Sequence, residues 1–144
     1  MIMNREEFKK ILPHREPMLL VDEAELIEPN RAHGSYTVRG DEWFLQGHFP
    51  GNPVVPGVIL CEIMAQASCM LVAQRIQGTT PYFTGLDRVR FRQKVTPGDT
   101  LCIESVLVKE KPPFYFAQAK GLVDGKVCVS AEFSFVLAEP EARQ

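Results

Sequence analysis

The chain holds 144 residues, 45% hydrophobic and 24% charged, the length and balance of one globular domain rather than a disordered, fibrous or multidomain design. Sixteen Lys plus Arg against eighteen Asp plus Glu leave a formal net charge of -2. No global field draws such a chain to a polyanion, so nucleic acid is not an expected partner.

The first residues mix Arg5, Lys9 and Lys10 with Glu6 and Glu7 and offer no apolar signal stretch, so cytoplasmic residence is the expectation. The longest mainly apolar run, residues 58–73, falls short of the roughly 20 residues a bilayer needs, and it contains Glu62 and Gln66. It reads as a core helix, not a membrane span. Cys61, Cys69, Cys102 and Cys128 have no CxxC spacing and lie in apolar segments, which fits reduced packing residues better than zinc ligands or disulfides. No repeat and no low-complexity linker divides the chain, so residues 1–144 read as a single domain.

A short helix opens the chain, with Asn4 as its cap, Glu7 completing a capping box and Pro13 ending it. Residues 18–28 are strand-like. From residue 31 to 39, Ala32, Gly34, Tyr36 and Val38 alternate with polar residues, the period of a half-buried strand. Residues 46–57 hold three prolines and three glycines in twelve positions, which makes a constrained loop of tight turns. That loop feeds a helix predicted over residues 58–77. Its stripe of Leu60, Met64, Ala67 and Leu71 is widened by Ile59, Ile63 and Met70 until little polar face remains, so it belongs inside the fold. Gly78 is the expected stop.

The period then returns to two. Arg88, Arg90, Arg92 and Lys94 alternate with Val89, Phe91, Gln93 and Val95, placing four cations on one strand face. Strands follow over residues 100–109 and 114–123, broken by Pro112-Pro113. Asp124-Gly125 is a hairpin signal before residues 126–137, where Val127, Val129, Ala131, Phe133, Phe135 and Leu137 share a face. Ala117, Ala119 and Gly121 offer small side chains against which a helix can lie. The expected class is α+β, an antiparallel sheet around one long apolar helix.

Two polar residues stand in expensive places on that helix. Glu62 and Gln66 are four apart, so the amide can hold the carboxyl. A carboxylic acid kept neutral by burial is a proton donor. The alternative is a structural carboxylate bonded to a backbone group or an arginine. His48, in Gly47-His48-Phe49-Pro50-Gly51, is either a structural histidine or a general base held by the constrained loop. Gly57 begins the helix, where unpaired backbone N–H groups and the helix dipole favour negative charge.

The runs Leu12-Pro13-His14-Arg15-Glu16-Pro17-Met18-Leu19-Leu20-Val21-Asp22, Gln46-Gly47-His48-Phe49-Pro50-Gly51-Asn52-Pro53, Pro56-Gly57-Val58, Glu62-Ile63-Met64-Ala65-Gln66-Ala67 and Val95-Thr96-Pro97-Gly98-Asp99 resemble the FabZ family. These are the (3R)-hydroxyacyl-acyl-carrier-protein dehydratases of type II fatty-acid synthesis. The resemblance spans nearly the whole chain, with the glutamate fourteen residues after the histidine. It implies a hotdog fold and a site shared between the subunits of a homodimer, assembled further as a trimer of dimers.

By position, His48 matches the catalytic base, Glu62 the catalytic acid contributed by the partner subunit, Gly57 the N–H donor to the thioester oxygen, and Gln66 the amide after the acid. Tyr82 matches the tyrosine that gates the acyl tunnel. Phe49, Ile59 and Phe83 are candidate tunnel walls, with plain core packing the alternative for Phe83. The related FabA branch, which also isomerises the double bond, carries aspartate where this chain has Glu62. Dehydration without isomerisation is therefore implied.

No metal or organic cofactor is expected. The implied partner is an acyl carrier protein bearing its acyl group on 4′-phosphopantetheine. Such carriers are acidic, which makes Arg88, Arg90, Arg92 and Lys94 the candidate docking surface; a solvated face or a charge-protected edge is the alternative. Rival readings are a hotdog acyl thioesterase and a non-catalytic acyl-thioester binding module.

Overall fold

The computed structural model describes residues 2–139. A short strand β1 (Ile2–Asn4) leads into helix α1 (Arg5–Phe8), where the capping box forms as expected. The Asn4 side chain accepts from the Glu7 N–H at 2.9 Å and the Glu7 carboxylate accepts from the Asn4 N–H at 3.2 Å. Regular helix ends at Phe8, before Pro13.

Strand β2 (Glu23–Glu28) pairs with β3 (Arg31–Thr37), and β3 buries Ala32 and Tyr36 as the alternation requires. The strand expected over residues 18–28 therefore starts only at Glu23. Residues 19–21 are buried loop because their backbone is claimed by the central helix: the Leu20 N–H donates to the Gln66 side chain at 2.7 Å.

Helix α2 (Gly57–Ser68) runs into a 3-10 segment over Cys69–Val72 and then α3 (Ala73–Ile76). The buried Ser68 hydroxyl donates to the Met64 carbonyl at 2.7 Å, a back-bond of the kind that bends helices, and the tighter winding starts at the next residue. The helical stretch Gly57–Ile76 is thus 20 residues, longer than the apolar run suggested and long enough to cross a membrane by length and composition. Its most apolar window is instead 61% buried inside the fold, which makes it the core helix. Gly78, at φ +82°, ends it.

Strands β4 (Thr80–Phe91), β5 (Thr100–Lys111), β6 (Phe114–Val123) and β7 (Lys126–Ala138) complete one seven-stranded sheet in the order β1-β2-β3-β5-β6-β7-β4. Every neighbouring pair is antiparallel. The sheet curls around the helix with Val129, Ala131, Phe133, Phe135 and Leu137 buried, the hotdog arrangement expected from periodicity and from the resemblance. Helix and sheet come closest at β3, where a Cβ built on Gly34 would lie 2.7 Å from the Ala67 Cβ. The helix also lies against β6, as its small residues allow, although the space beside Gly121 is taken by Leu101 and Val129 of neighbouring strands.

Two further expectations are corrected. Cys61, Cys69 and Cys128 are buried free thiols, but Cys102 is exposed, because in β5 it alternates with the buried Leu101 and Ile103. The four cations do not share one regular strand face either. The β4–β7 register shifts between Asp87 and Arg90, Arg88 adopts φ +50°, and the strand ends at Phe91, leaving Arg92 and Lys94 in the following loop.

A polar knot supports the loop that leads to His48. The buried Glu42 carboxylate accepts from the Tyr36 hydroxyl at 2.6 Å and from the N–H groups of Arg39 at 2.9 Å and Gly40 at 2.7 Å. Burial alone would push the Glu42 carboxyl up, but these three donors outweigh it and hold the group below the usual glutamate range. The Tyr36 phenol is driven the other way, above its usual range, by burial and then by the neighbouring carboxylate.

Candidate active site

The loop of residues 46–57 is pinned by its own backbone. Phe49 and Asn52 exchange N–H···O bonds at 2.9 and 2.8 Å, the Val54 N–H reaches the His48 carbonyl at 2.8 Å, and the Val55 N–H reaches Val95 of the strand-following loop at 2.9 Å. Gly47 and Gly51 take φ of +82° and +70°, conformations open to glycine. Within this frame the His48 Nδ1 lies 2.7 Å from the Val54 carbonyl oxygen. A carbonyl can only accept, so Nδ1 carries a proton and Nε2 is left free of this contact. The ring stacks on Phe49 with centroids 4.1 Å apart. The loop therefore holds the His48 ring in one orientation.

Gly57 opens α2, and the Ile59 and Leu60 N–H groups turn back to the Pro56 carbonyl. The Gly57 N–H belongs to the first turn, where no intrahelical acceptor exists. A side chain here would displace the Phe91 ring, since a Cβ on Gly57 would meet it at 2.8 Å.

One turn further, Glu62 lines a cavity of about 220 Å³ together with His14, Ala65, Gln66, Cys69, Pro81, Tyr82, Phe83 and Phe135. Its side chain is 22% exposed, so it is a cavity-wall carboxyl and not the fully buried one that helix periodicity suggested. The predicted partnership with Gln66 is present: the amide nitrogen donates to Glu62 Oε2 at 2.8 Å. The same nitrogen donates to the Met18 carbonyl at 2.7 Å, and the amide oxygen accepts from Leu20. Gln66 thereby ties a distant loop to the helix and fixes the carboxylate in one step. Cys69 in the same wall is pushed up to about 12 by burial and then by the Glu62 charge, so it stays a thiol.

The candidate residues fall into two groups. Tyr82 and Phe83 of β4 stand with Glu62 and Gln66 at the cavity. Phe49 stacks on His48 instead, and Ile59 packs against the core; neither is part of the Glu62 cavity wall. His48 is likewise outside that wall. Arg88, Arg90, Arg92 and Lys94 are all exposed, with Arg88 held 3.2 Å from Glu132.

His14 is the polar neighbour that the residue pattern did not single out. Its Nε2 lies 3.6 Å from Glu62 Oε2. The two are 48 positions apart with no periodic relation, and although His14 lies in the run of residues 12–22 that carries part of the resemblance, nothing in its spacing tied it to Glu62.

Comparison with known proteins places this geometry in context. The FabA-like domain family matches residues 12–132. The chain is 44% identical over 138 residues to the 3-hydroxyacyl-[acyl-carrier-protein] dehydratase FabZ of Clostridium perfringens, covering 94% of this chain and 99% of the relative. It is 46% identical to the FabZ of Oenococcus oeni over the same length and shares. Among solved structures, the dehydratase heterocomplex ApeI:P from Xenorhabdus doucetiae superposes with a TM-score of 0.80 at 24% identity, over 93% of this chain and 91% of that one. The E. coli PaaI protein from the phenylacetic acid degradation operon gives 0.61 at 13% identity, over 78% and 80%. Both share the fold. With an aromatic-walled glutamate, an oriented histidine and near full-length similarity to these relatives, the chain belongs to the FabA-like family and, within it, to the FabZ dehydratases.

Proposed function

We propose that this domain dehydrates (3R)-3-hydroxyacyl-acyl-carrier protein to trans-2-enoyl-acyl-carrier protein in type II fatty-acid synthesis, in the cytoplasm, with His48 as base and Glu62 as acid. The observation that carries the reading is the Glu62 carboxyl, held by Gln66 at the wall of a cavity lined by Tyr82, Phe83 and Phe135. An acyl chain fits such a wall, and a proton donor within it meets the substrate hydroxyl away from bulk water.

The chemistry follows from the two side chains. His48 Nε2 takes the proton alpha to the thioester carbonyl. Charge that builds on the thioester oxygen is met by the Gly57 N–H, a preorganised donor of a kind that contributes about 3 kcal/mol elsewhere. The electron pair left at the alpha carbon forms the double bond as the carbon–oxygen bond at C3 breaks. Glu62 protonates the departing hydroxyl, so water leaves. Return of the proton from His48 to Glu62 restores both groups.

Because His48 stands apart from the Glu62 cavity within one chain, the reading takes the two groups from different subunits. Among the described residues the sheet ends in β1 on one side and β4 on the other, and β4 exposes Tyr82, Phe83, Leu86 and Phe91. A twelve-residue edge strand with four exposed apolar side chains is a surface that a second copy covers by continuing the sheet. That dimer assembles as a trimer of dimers. Arg88, Arg90, Arg92 and Lys94 flank the same edge as the docking surface for the acidic carrier.

The test follows the ultraviolet absorbance of the conjugated enoyl thioester. Formation from a carrier-linked 3-hydroxyacyl thioester, and the reverse hydration, are expected. Release of free thiol would indicate a thioesterase instead, and binding without turnover a binding module.

A further inference from the structure

We propose that His14 is a positioning residue for Glu62, and that it and Gln66 together make Oε1 the oxygen that delivers the proton. The inference rests on reading Glu62 as the acid. Gln66 Nε2 stands 2.8 Å and His14 Nε2 3.6 Å from the same atom, Glu62 Oε2. The tautomer of His14 follows from its other nitrogen. Nδ1 is buried without a hydrogen-bond partner among the described residues. An N–H there would be an orphaned buried donor, so the proton resides on Nε2, facing the carboxyl.

The Gln66 donor at 2.8 Å, with the His14 nitrogen at 3.6 Å behind it, makes Oε2 the accepting oxygen of the carboxylic acid and leaves the acidic hydrogen on Oε1. When that hydrogen is given up, negative charge spreads onto Oε2 and both contacts strengthen. The 3.6 Å separation exceeds a hydrogen bond, so the histidine contact is the one with room to tighten as charge develops. Among the described residues the cavity wall holds no lysine or arginine that could take the place of His14. Its polar groups are Gln66 and Cys69 on the helix, Tyr82 on β4 and His14 on the loop.

The loop that carries His14 is built to hold it there. Arg15 Nη1 donates to the His14 carbonyl at 2.7 Å and to the Leu12 carbonyl at 2.9 Å. Further along, Gln66 grips Met18 and Leu20 of the same loop. One amide thus sets the carboxyl and the loop that presents its second donor.

The experiment is a double-mutant cycle on the full-length assembled protein, read with a carrier-linked 3-hydroxyacyl thioester. His14→Phe, which keeps a ring but no donor, is expected to lower kcat about tenfold or more with KM changed less than about twofold. His14→Gln, which restores an N–H, should recover part of that loss. In a Glu62→Gln background His14→Phe should cost nothing further, because no proton remains to be directed. Equal losses in both backgrounds, or wild-type kcat in His14→Phe, would overturn the proposal while leaving Glu62 as the acid. Wild-type turnover in Glu62→Gln alone would overturn the reading beneath it. If the phenylalanine variant fails to assemble, His14→Leu, which also lacks a donor, and its Glu62→Gln double carry the same comparison.

Discussion

Gly34 lies under Ala67 so closely that the two backbones leave no room for a second methyl, with a Cβ on Gly34 falling 2.7 Å from that of Ala67. This is where β3 and the central helix meet, and the helix carries Gln66 next to Ala67 and Glu62 just over one turn before it. The Ala67 methyl is not a flexible tip that can swing aside. Gly34→Ala is expected to destabilise the protein by about 1–3 kcal/mol, read as a lower denaturant midpoint. The double variant Gly34→Ala with Ala67→Gly should recover part of that loss despite the cost of a helical glycine. Additive losses would show that the contact is not the cause.

The knot at Glu42 predicts a pH dependence. Its folded carboxyl titrates below the ordinary 4.5, so the unfolded chain takes up this proton first as the solution is acidified. The stability it contributes is complete above about 4.5 and is lost as pH falls through the lower, folded value. Glu42→Gln should remove about 1–3 kcal/mol near neutrality, through the donors left poorly matched, and flatten the acid limb of a stability–pH curve. An unchanged acid limb would assign that limb to other carboxylates.

Much of this site was readable from residue pattern, and the exceptions have physical causes. The Glu62–Gln66 pair is local, one helical turn apart, and a helix fixes such neighbours whatever surrounds it. The capping box at Asn4 and the inward row of β7 are local in the same sense. His14 was not readable because a hydrogen bond to Gln66, not a period, folds its loop onto the helix. The bulge at Arg88 escaped because both faces of that stretch are largely exposed, leaving no apolar phase to reveal a slip. The 3-10 turn after Ser68 was hidden in an apolar run that suits either winding.

The cations at the end of β4 bear on the carrier. Arg90 is exposed and, among the described residues, its side chain donates only to the adjacent Val89 carbonyl at 2.9 Å, which leaves it turned to solvent. Arg90→Glu should lower kcat/KM for the carrier-linked substrate about tenfold and reduce its salt dependence, while a small pantetheine thioester reacts as before. Equal effects on both substrates would place Arg90 outside carrier docking.

The free edge of β4 makes the assembly testable. Leu86 is 45% exposed in the single chain, midway along a strand paired only with β7. Leu86→Lys puts a charge where a second copy would pack and is expected to shift the protein toward monomer in analytical ultracentrifugation. Turnover should fall with the dimer fraction. A monomer with full activity would contradict a site shared between subunits.

The shared site has its sharpest test in mixing. His48→Ala and Glu62→Ala should each lower turnover by about 10²–10⁴-fold while leaving assembly intact. If base and acid come from different chains, a dimer of one variant with the other holds one site with both defects and one with neither. After equal mixing and subunit exchange, half of the dimers are mixed and half of their sites are whole, so activity should return to about a quarter of wild type. If both groups serve the same chain's site, every site carries one defect and mixing restores nothing. A plateau near the inactive level, with exchange confirmed by differently tagged chains, would therefore move the catalytic pair back into a single subunit.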